Sequence, residues 1–218
     1  MFKNREEAGH RLTKKLHQYQ HNPQVVVVAI PRGGVVVGKV IANDLNIPLT
    51  VVVVKKLGAP DNPEMAIGAL APKGVKVINW DLALRIGVEQ KYLDEEIKRK
   101  SKEVEERMRK FEIRNSKFEI NNRIQVLNYK TIILTDDGVA TGATVQAAIK
   151  FIKESVKGTA LSVTLILAVP VIGKDTFDKL KSEADDIVTL EIAQSFTAVG
   201  QFYQEFPQVS DEEVEKML

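Results

Sequence analysis

The sequence predicts an α/β fold built on a mainly parallel sheet, and three observations carry that reading. Val25-Val26-Val27-Val28-Ala29-Ile30 and Leu49-Thr50-Val51-Val52-Val53-Val54 are short, continuous and rich in β-branched residues, the pattern of strands buried on both faces. Between them Val36, Val40, Ile41 and Leu45 fall at helical spacing, which completes a strand–helix–strand unit. The same alternation returns after Thr131, as in a sheet wound with helices.

In chain order, Phe2, Ala8, Leu12, Leu16 and Tyr19 recur near helical spacing, which predicts an amphipathic helix over residues 4–20. The first strand follows, stopped by Pro31-Arg32-Gly33-Gly34, and Pro48 ends the next helix before the second strand, Leu49 to Val54. From Lys55 to Asn128 the pattern changes. Ala66 to Leu70 and Val75 to Ile78 flank a Pro72-Lys73-Gly74 turn and read as a hairpin. Glu89 to Phe111 is highly charged, with Leu93, Ile97, Val104, Met108 and Phe111 on one side; it reads as a long solvated helix packed by one stripe. This stretch exceeds a simple crossover, so residues 59–128 are expected to be an insertion within a single domain spanning 1–218. Thr131 to Thr135 is a third buried strand, and the loop Asp136 to Thr144 leads into a helix through about Glu154. Leu161 to Val169 is a fourth strand, Thr176 to Ser182 a short helix and Asp186 to Leu190 a fifth strand. The tail, Ala193 to Leu218, carries Phe196, Phe202, Tyr203 and Phe206 before an acidic end.

The bulk properties exclude more than they assign. A net charge of +2 across 218 residues gives no argument for nucleic acid or membrane as a partner. The absence of cysteine excludes disulfides and thiolate chemistry and is compatible with a reducing cytoplasm. The opening residues are mixed in charge with no apolar run behind them, so no signal peptide is expected. The longest apolar runs are strand-sized, short of the roughly 20 residues of a membrane helix.

Ligands of parallel α/β sheets bind outside the carboxyl ends of the strands, which directs attention to two loops, Pro31 to Gly34 and Asp136 to Thr144. In Thr135-Asp136-Asp137-Gly138-Val139-Ala140-Thr141-Gly142-Ala143-Thr144, two adjacent carboxylates end a buried strand and a small-residue turn opens a helix. Amides at a helix start suit a phosphate. Gly142 lets the backbone come close, and Thr141 and Thr144 add hydroxyl donors. The carboxylates accept hydrogen bonds from paired sugar hydroxyls. The loop therefore fits a phosphate at one end of a ribose and a diol at the other.

Ile132 to Thr144 resembles the phosphoribosyl pyrophosphate (PRPP) motif of type I phosphoribosyltransferases at every defining position. The resemblance implies a Rossmann-like parallel-sheet core with an inserted hairpin and long-helix segment and a small, flexible hood within 59–128. It implies that Asp136 and Asp137 hold the ribose 2′- and 3′-hydroxyls, and that Ala140, Thr141, Gly142, Ala143 and Thr144 hold the 5′-phosphate. Ala29 to Gly34 resembles the family's pyrophosphate loop, close to the Ser-Arg-Gly-Gly form with Pro31 in the Ser place. There Gly33 and Gly34 would offer amides and Arg32 a planar fork, often after a cis peptide, here Pro31–Arg32. A basic residue near Lys55-Lys56 reaches pyrophosphate in many relatives; Lys56 is the better match, and a solvated basic pair is the plain alternative. Glu64 would begin the hood, as a catalytic aid or as an exposed turn carboxylate. Phe2 to Gly9, Lys56-Leu57-Gly58 with Pro63-Glu64, and Phe196 to Gly200 with Tyr203 and Phe206 resemble the uncharacterised "predicted phosphoribosyltransferase" group.

The implied reaction breaks the C1–pyrophosphate bond as a nitrogen attacks C1, without a covalent intermediate. The catalytic set would be Asp136, Asp137, Arg32 and Lys56, with PRPP as substrate and Mg²⁺ held mainly through substrate and water. In the 6-oxopurine enzymes an Asp stands where this chain has Ala140, which points away from hypoxanthine, guanine and xanthine and leaves adenine-type and uracil-type acceptors open. The aromatic tail could stack a base or belong to the core. His10, His17 and His21 have no Asp, Glu or Cys cluster to complete a metal site. Three readings stay open: a phosphoribosyltransferase, a non-enzymatic PRPP-binding regulator, and an unrelated α/β phosphosugar protein. Family members are commonly homodimers, and the long helix offers a surface for that as readily as it offers a solvated face.

Overall fold

The computed structural model describes residues 1–114, 129–157 and 162–218. In chain order the elements are α1 (Arg5–Lys15), β1 (Val25–Ala29), α2 (Gly33–Leu45), β2 (Leu49–Val51), β3 (Lys55–Gly58), β4 (Ala66–Leu70), β5 (Lys76–Ile78), α3 (Trp80–Arg85), α4 (Gln90–Arg114), β6 (Thr131–Thr135), α5 (Ala143–Val156), β7 (Thr164–Gly173), α6 (Lys174–Leu180), β8 (Asp186–Ala193) and α7 (Asp211–Met217). Five strands form one sheet in the order β2-β1-β6-β7-β8, and every neighbouring pair is parallel. All five residues of β1 are buried, as its unbroken apolar run requires.

Side-chain alternation splits the core into two layers. Val26, Val28, Ile132, Leu134, Leu165 and Leu167 point to the face covered by α5 through Val145, Ala148, Ile149 and Ile152. Val25, Val27, Ala29 and Ile133 point to the other, with Leu12 and Leu16 from the α1 segment and Val37, Ile41 and Leu45 of α2. Helices α1 and α2 touch at Gly9, where an added methyl group would lie 2.8 Å from Val40 Cβ.

Several boundaries differ from the sequence expectation. The first helix ends at Lys15, because the Leu16 amide bonds to Thr13 O at 2.9 Å and a 3-10 turn follows. The run Leu49 to Val54 is buried almost throughout, yet β2 stops at Val51. Val52 still donates to Ala29 O at 3.0 Å, but the Val53 amide meets Met108 Sδ at 3.4 Å instead of a strand. Lys55 and Lys56 therefore do not end the second strand; they open β3, which pairs antiparallel with β4. The expected β4–β5 hairpin is present and becomes part of a three-stranded sheet. Strand β7 runs past Pro170 to Gly173 because β8 keeps pairing with it from Val171 onward, and α6 follows at once from Lys174, two residues before the expected start. Leu161, the expected start of that strand, lies outside the described residues, as does the 115–128 end of the expected insertion.

Helix α4 carries the expected stripe but is less solvated than its charge implied. Leu93 and Ile97 pack with Leu57, Ile67 and Leu70 of the second sheet, whereas Val104, Met108 and Phe111 join the core of the main sheet. Among the described residues no helix is long and apolar enough to cross a membrane. Phe111 is 1% exposed, so Phe111→Ala is expected to cost about 3–5 kcal/mol in urea unfolding; a loss under about 0.5 kcal/mol, the surface value, would return α4 to a solvated insertion.

Candidate functional site

Adjacent parallel strands end at the same sheet edge, so the loops after β1 and β6 meet. A methyl group added at Gly34 would lie 2.8 Å from Asp136 Cα, and one at Gly33 would lie 1.9 Å from Asp137 Oδ2. The two glycines are thus required for contact between the loops, whatever ligand the amides meet. The Pro31–Arg32 peptide is cis, as the family resemblance implied. Helix α2 begins at Gly33 with Arg32 as its N-cap, and α5 begins at Ala143 with Gly142 as its N-cap in the left-handed region, φ 80°. Neither N-terminus has a side-chain cap. Two helix starts with first-turn amides to satisfy therefore stand together at one edge.

The rest of the loop is fixed by its neighbours. Val139 exchanges backbone hydrogen bonds with the end of β7, donating to Val171 O at 2.9 Å and accepting from the Gly173 amide at 3.0 Å. Thr176, on α6, donates its hydroxyl to Ala140 O at 2.5 Å, and its methyl occupies the space beside Gly142. Thr141 is exposed, while Ala140, Ala143 and Thr144 are partly buried.

Asp136 and Asp137 are brought together as expected, and their environment is unusual. Asp136 accepts the Asp137 amide at 2.8 Å. Burial, and then the charge of Asp137, push its carboxyl well above the ordinary carboxylate range. Burial raises Asp137 as well, against the lowering effect of Arg5, whose Nε donates to Asp137 Oδ2 at 2.8 Å. Arg5 is a site residue the sequence reading passed over, 132 positions from its partner. A signal was present: Arg5, Ala8, Gly9 and Leu12 share the buried face of α1, and a cation on an apolar stripe needs a partner. The C-terminal segment adds Tyr203, whose hydroxyl donates to Asp137 O at 2.5 Å. Burial, then the Asp137 charge, raises the Tyr203 pKa, so the hydroxyl keeps its proton.

The other expected residues are more dispersed. The Arg32 side chain is exposed, and its Nη1 lies 3.9 Å from Asp211 Oδ1 on α7. Asp211 is in turn gripped by Arg107 of α4, at 3.1 Å. Lys55 pairs with Glu103 at 3.3 Å; burial alone would raise Glu103, but Lys100 and Lys55 hold it below its usual range. Lys56 is exposed on β3, and Glu64 is exposed in the turn before β4, its amide bonded to Asn62 Oδ1. The histidines go separate ways: His10 to Asp44, His17 to Lys14 O and His21 to Asn46. Among the described residues no group of three or more His, Cys, Asp or Glu is placed to hold a metal ion. The aromatic tail packs on itself and on the first residues, Phe196 on Phe202 at 4.9 Å and Tyr203 on Phe2 at 5.3 Å, so most of it is core.

The acid pair should leave a mark on stability. An unfolded chain releases the Asp136 proton near pH ~4, whereas the folded chain holds it to higher pH, so stability falls as pH rises between those values. Asp136→Asn removes that penalty and keeps the acceptor. It is expected to raise the melting temperature at neutral pH, by about 2–4 °C for each kcal/mol relieved, with the gain fading toward about pH 4. A gain independent of pH would contradict this account.

The family described as "Phosphoribosyl transferase domain" matches residues 2–205. A Mycobacterium tuberculosis protein, represented in two strains and named "Putative phosphoribosyl transferase", is 35% identical over 226 residues, covering 100% of this chain and 46% of its own length. The chain thus spans about half the length of the curated relatives it matches. The crystal structure of TT1426 from Thermus thermophilus is 35% identical, with coverage of 100% of this chain and 97% of that one and a TM-score of 0.73. The family match takes in both strand-end loops and the Arg5 and Tyr203 segments that close on them, and the chain belongs to the phosphoribosyl transferase domain family.

Proposed function

We propose that the chain transfers the 5-phosphoribosyl group of PRPP to a nitrogenous acceptor, a nucleobase or related compound, with release of pyrophosphate. The observation that supports this best is the pair of uncapped helix N-termini, α2 and α5, beside adjacent carboxylates at one sheet edge. Each part has a role matched to its chemistry. The turn from Ala140 to Thr144 and the start of α5 take the 5′-phosphate through amides and the hydroxyls of Thr141 and Thr144. Asp136 and Asp137 accept hydrogen bonds from the ribose diol and fix C1 for in-line attack. Gly33 and Gly34 offer amides to pyrophosphate, and the Arg32 fork meets the charge that grows on it as the C1–O bond breaks. Lys56, exposed on β3, would add a second cation, while Lys55 would have to exchange Glu103 for the ligand.

A Mg²⁺ ion would be held mainly through substrate oxygens and water, while Asp136 and Asp137 orient the ribose. When bound, the ion would neutralise charge on the departing pyrophosphate. Ala140 offers no side-chain proton donor or acceptor, so the acceptor base is one that needs none at that position. Within a single domain, the hood over this site would come from the exposed turn at Pro60 to Met65, inside the 59–128 segment, and the cytoplasm and nucleotide metabolism are the setting such a reaction fits. A homodimer through the long helix is part of the same reading.

Calorimetric titration with PRPP and Mg²⁺, followed by pyrophosphate release across a panel of bases, tests the proposal. Asp136→Asn/Asp137→Asn is expected to weaken PRPP binding roughly tenfold to a hundredfold, the worth of charge-assisted hydrogen bonds. Arg32→Ala should weaken PRPP by about tenfold yet leave ribose 5-phosphate unchanged, because only the former carries pyrophosphate. PRPP affinity indifferent to the acid pair would point to an unrelated phosphosugar protein. Binding without turnover for any acceptor would favour a PRPP-binding regulator.

A further inference from the structure

The acid pair is reached from both ends of the chain, and Arg5 is where they meet. Its side chain is 8% exposed, and its contacts are of three kinds. Nε donates to Asp137 Oδ2 at 2.8 Å, Nη1 donates to Pro207 O at 2.8 Å, and the guanidinium carbon lies 3.7 Å from the centre of the Phe206 ring. The termini are laced together around it: Phe2 donates to Phe202 O at 2.7 Å, Gln204 to Phe2 O at 2.8 Å and Glu205 to Lys3 O at 2.9 Å. Gly33 keeps the space open, since a methyl group there would also lie 2.9 Å from Arg5 Nε.

We propose that Arg5 is a positioning residue for the ribose site, its guanidinium clamped by Phe206 and Pro207 so that one oxygen of Asp137 is held and the carboxylate is presented to the sugar diol at a fixed angle. The proposal rests on the PRPP reading above. Burying a guanidinium is expensive unless it is fully engaged, and a clamp that only joined the termini could have used an apolar side chain. The partner chosen here is instead a member of the acid pair. A planar fork bonded on one edge and stacked on its face leaves little rotational freedom, and Tyr203 pins the backbone of the same aspartate. Side chain and main chain of Asp137 are therefore fixed by opposite ends of the sequence. Arg5 also halves the charge of the pair, which allows two neighbouring acids to await a ligand in a partly buried loop.

The groups facing Asp137 are Arg5 from α1, Asp136 from its own loop and the Tyr203 hydroxyl from the C-terminal segment. Without Arg5 the pair holds its proton to higher pH, so ligand binding should need a more alkaline solution. The test is calorimetric titration of Arg5→Gln, Arg5→Lys and Phe206→Leu with PRPP and Mg²⁺ over a series of buffered pH values, with inorganic pyrophosphate as a probe that has no sugar. Arg5→Gln is expected to weaken PRPP about tenfold near neutral pH, with the loss shrinking as pH rises and pyrophosphate affinity unchanged. In an Asp137→Asn background the same change should cost less than about threefold, the sign of a shared interaction. Arg5→Lys and Phe206→Leu, which keep the charge but loosen the clamp, should show smaller losses in the same direction; they carry the test if Arg5→Gln does not fold. If the folded Arg5 and Phe206 variants keep wild-type PRPP affinity and pH profile while Asp137→Asn loses affinity, the proposal is wrong and the PRPP reading stands. If Asp137→Asn also binds PRPP normally, both fall.

Discussion

Two carboxylates on consecutive residues, in a loop partly shielded from water, repel each other, and much of the structure answers that constraint. A surface loop would let solvent screen them. Here Asp136 and Asp137 lie against Gly33 and Gly34 at the start of α2, where the helix dipole favours negative charge. One acid accepts a backbone amide and the other a buried guanidinium. Each answer pulls in a different part of the chain: α1 supplies Arg5, α2 supplies its N-terminus, and the segment after β8 supplies Tyr203 and Phe206.

The sheet order makes this convergence possible. Strands β1 and β6 are far apart in sequence and adjacent in space, so the loops after them share an edge without any long excursion. Strand β7, carried past Pro170, reaches far enough to stitch Val139 in place. The loop from Asp136 to Gly142 is consequently framed on three sides, by α2 at Asp136, by β7 at Val139 and by α6 at Gly142.

Much of this was legible in the sequence, for identifiable reasons. Buried parallel strands announce themselves because both faces must be apolar, so β1 and β6 were plain. The glycine and acid pattern between Thr135 and Thr144 was plain because close backbone approach and helix initiation restrict residue choice. The Leu49 to Val54 run misled because burial and strand pairing look the same in composition; the chain stays in the core while its hydrogen bonds leave the ladder. The Lys pair moved with it into β3. Arg5 was overlooked because an ion pair across 132 residues leaves no local spacing, only a cation on the wrong face of a helix. The link from Arg32 through Asp211 to Arg107 is of the same kind.

Helix α4 has a mechanical consequence. One end is seated in the core of the second sheet through Leu93 and Ile97, the other in that of the main sheet through Val104, Met108 and Phe111. A rod anchored in two bodies acts as a strut: it transmits push and pull between them and resists a swinging motion about a single pivot. Covering a ligand at the sheet edge by tilting the whole second sheet would strain one socket or the other. The exposed turn from Pro60 to Met65, which belongs to neither core, can change course without loading the strut, so any cover for the site should come from that short reach of chain.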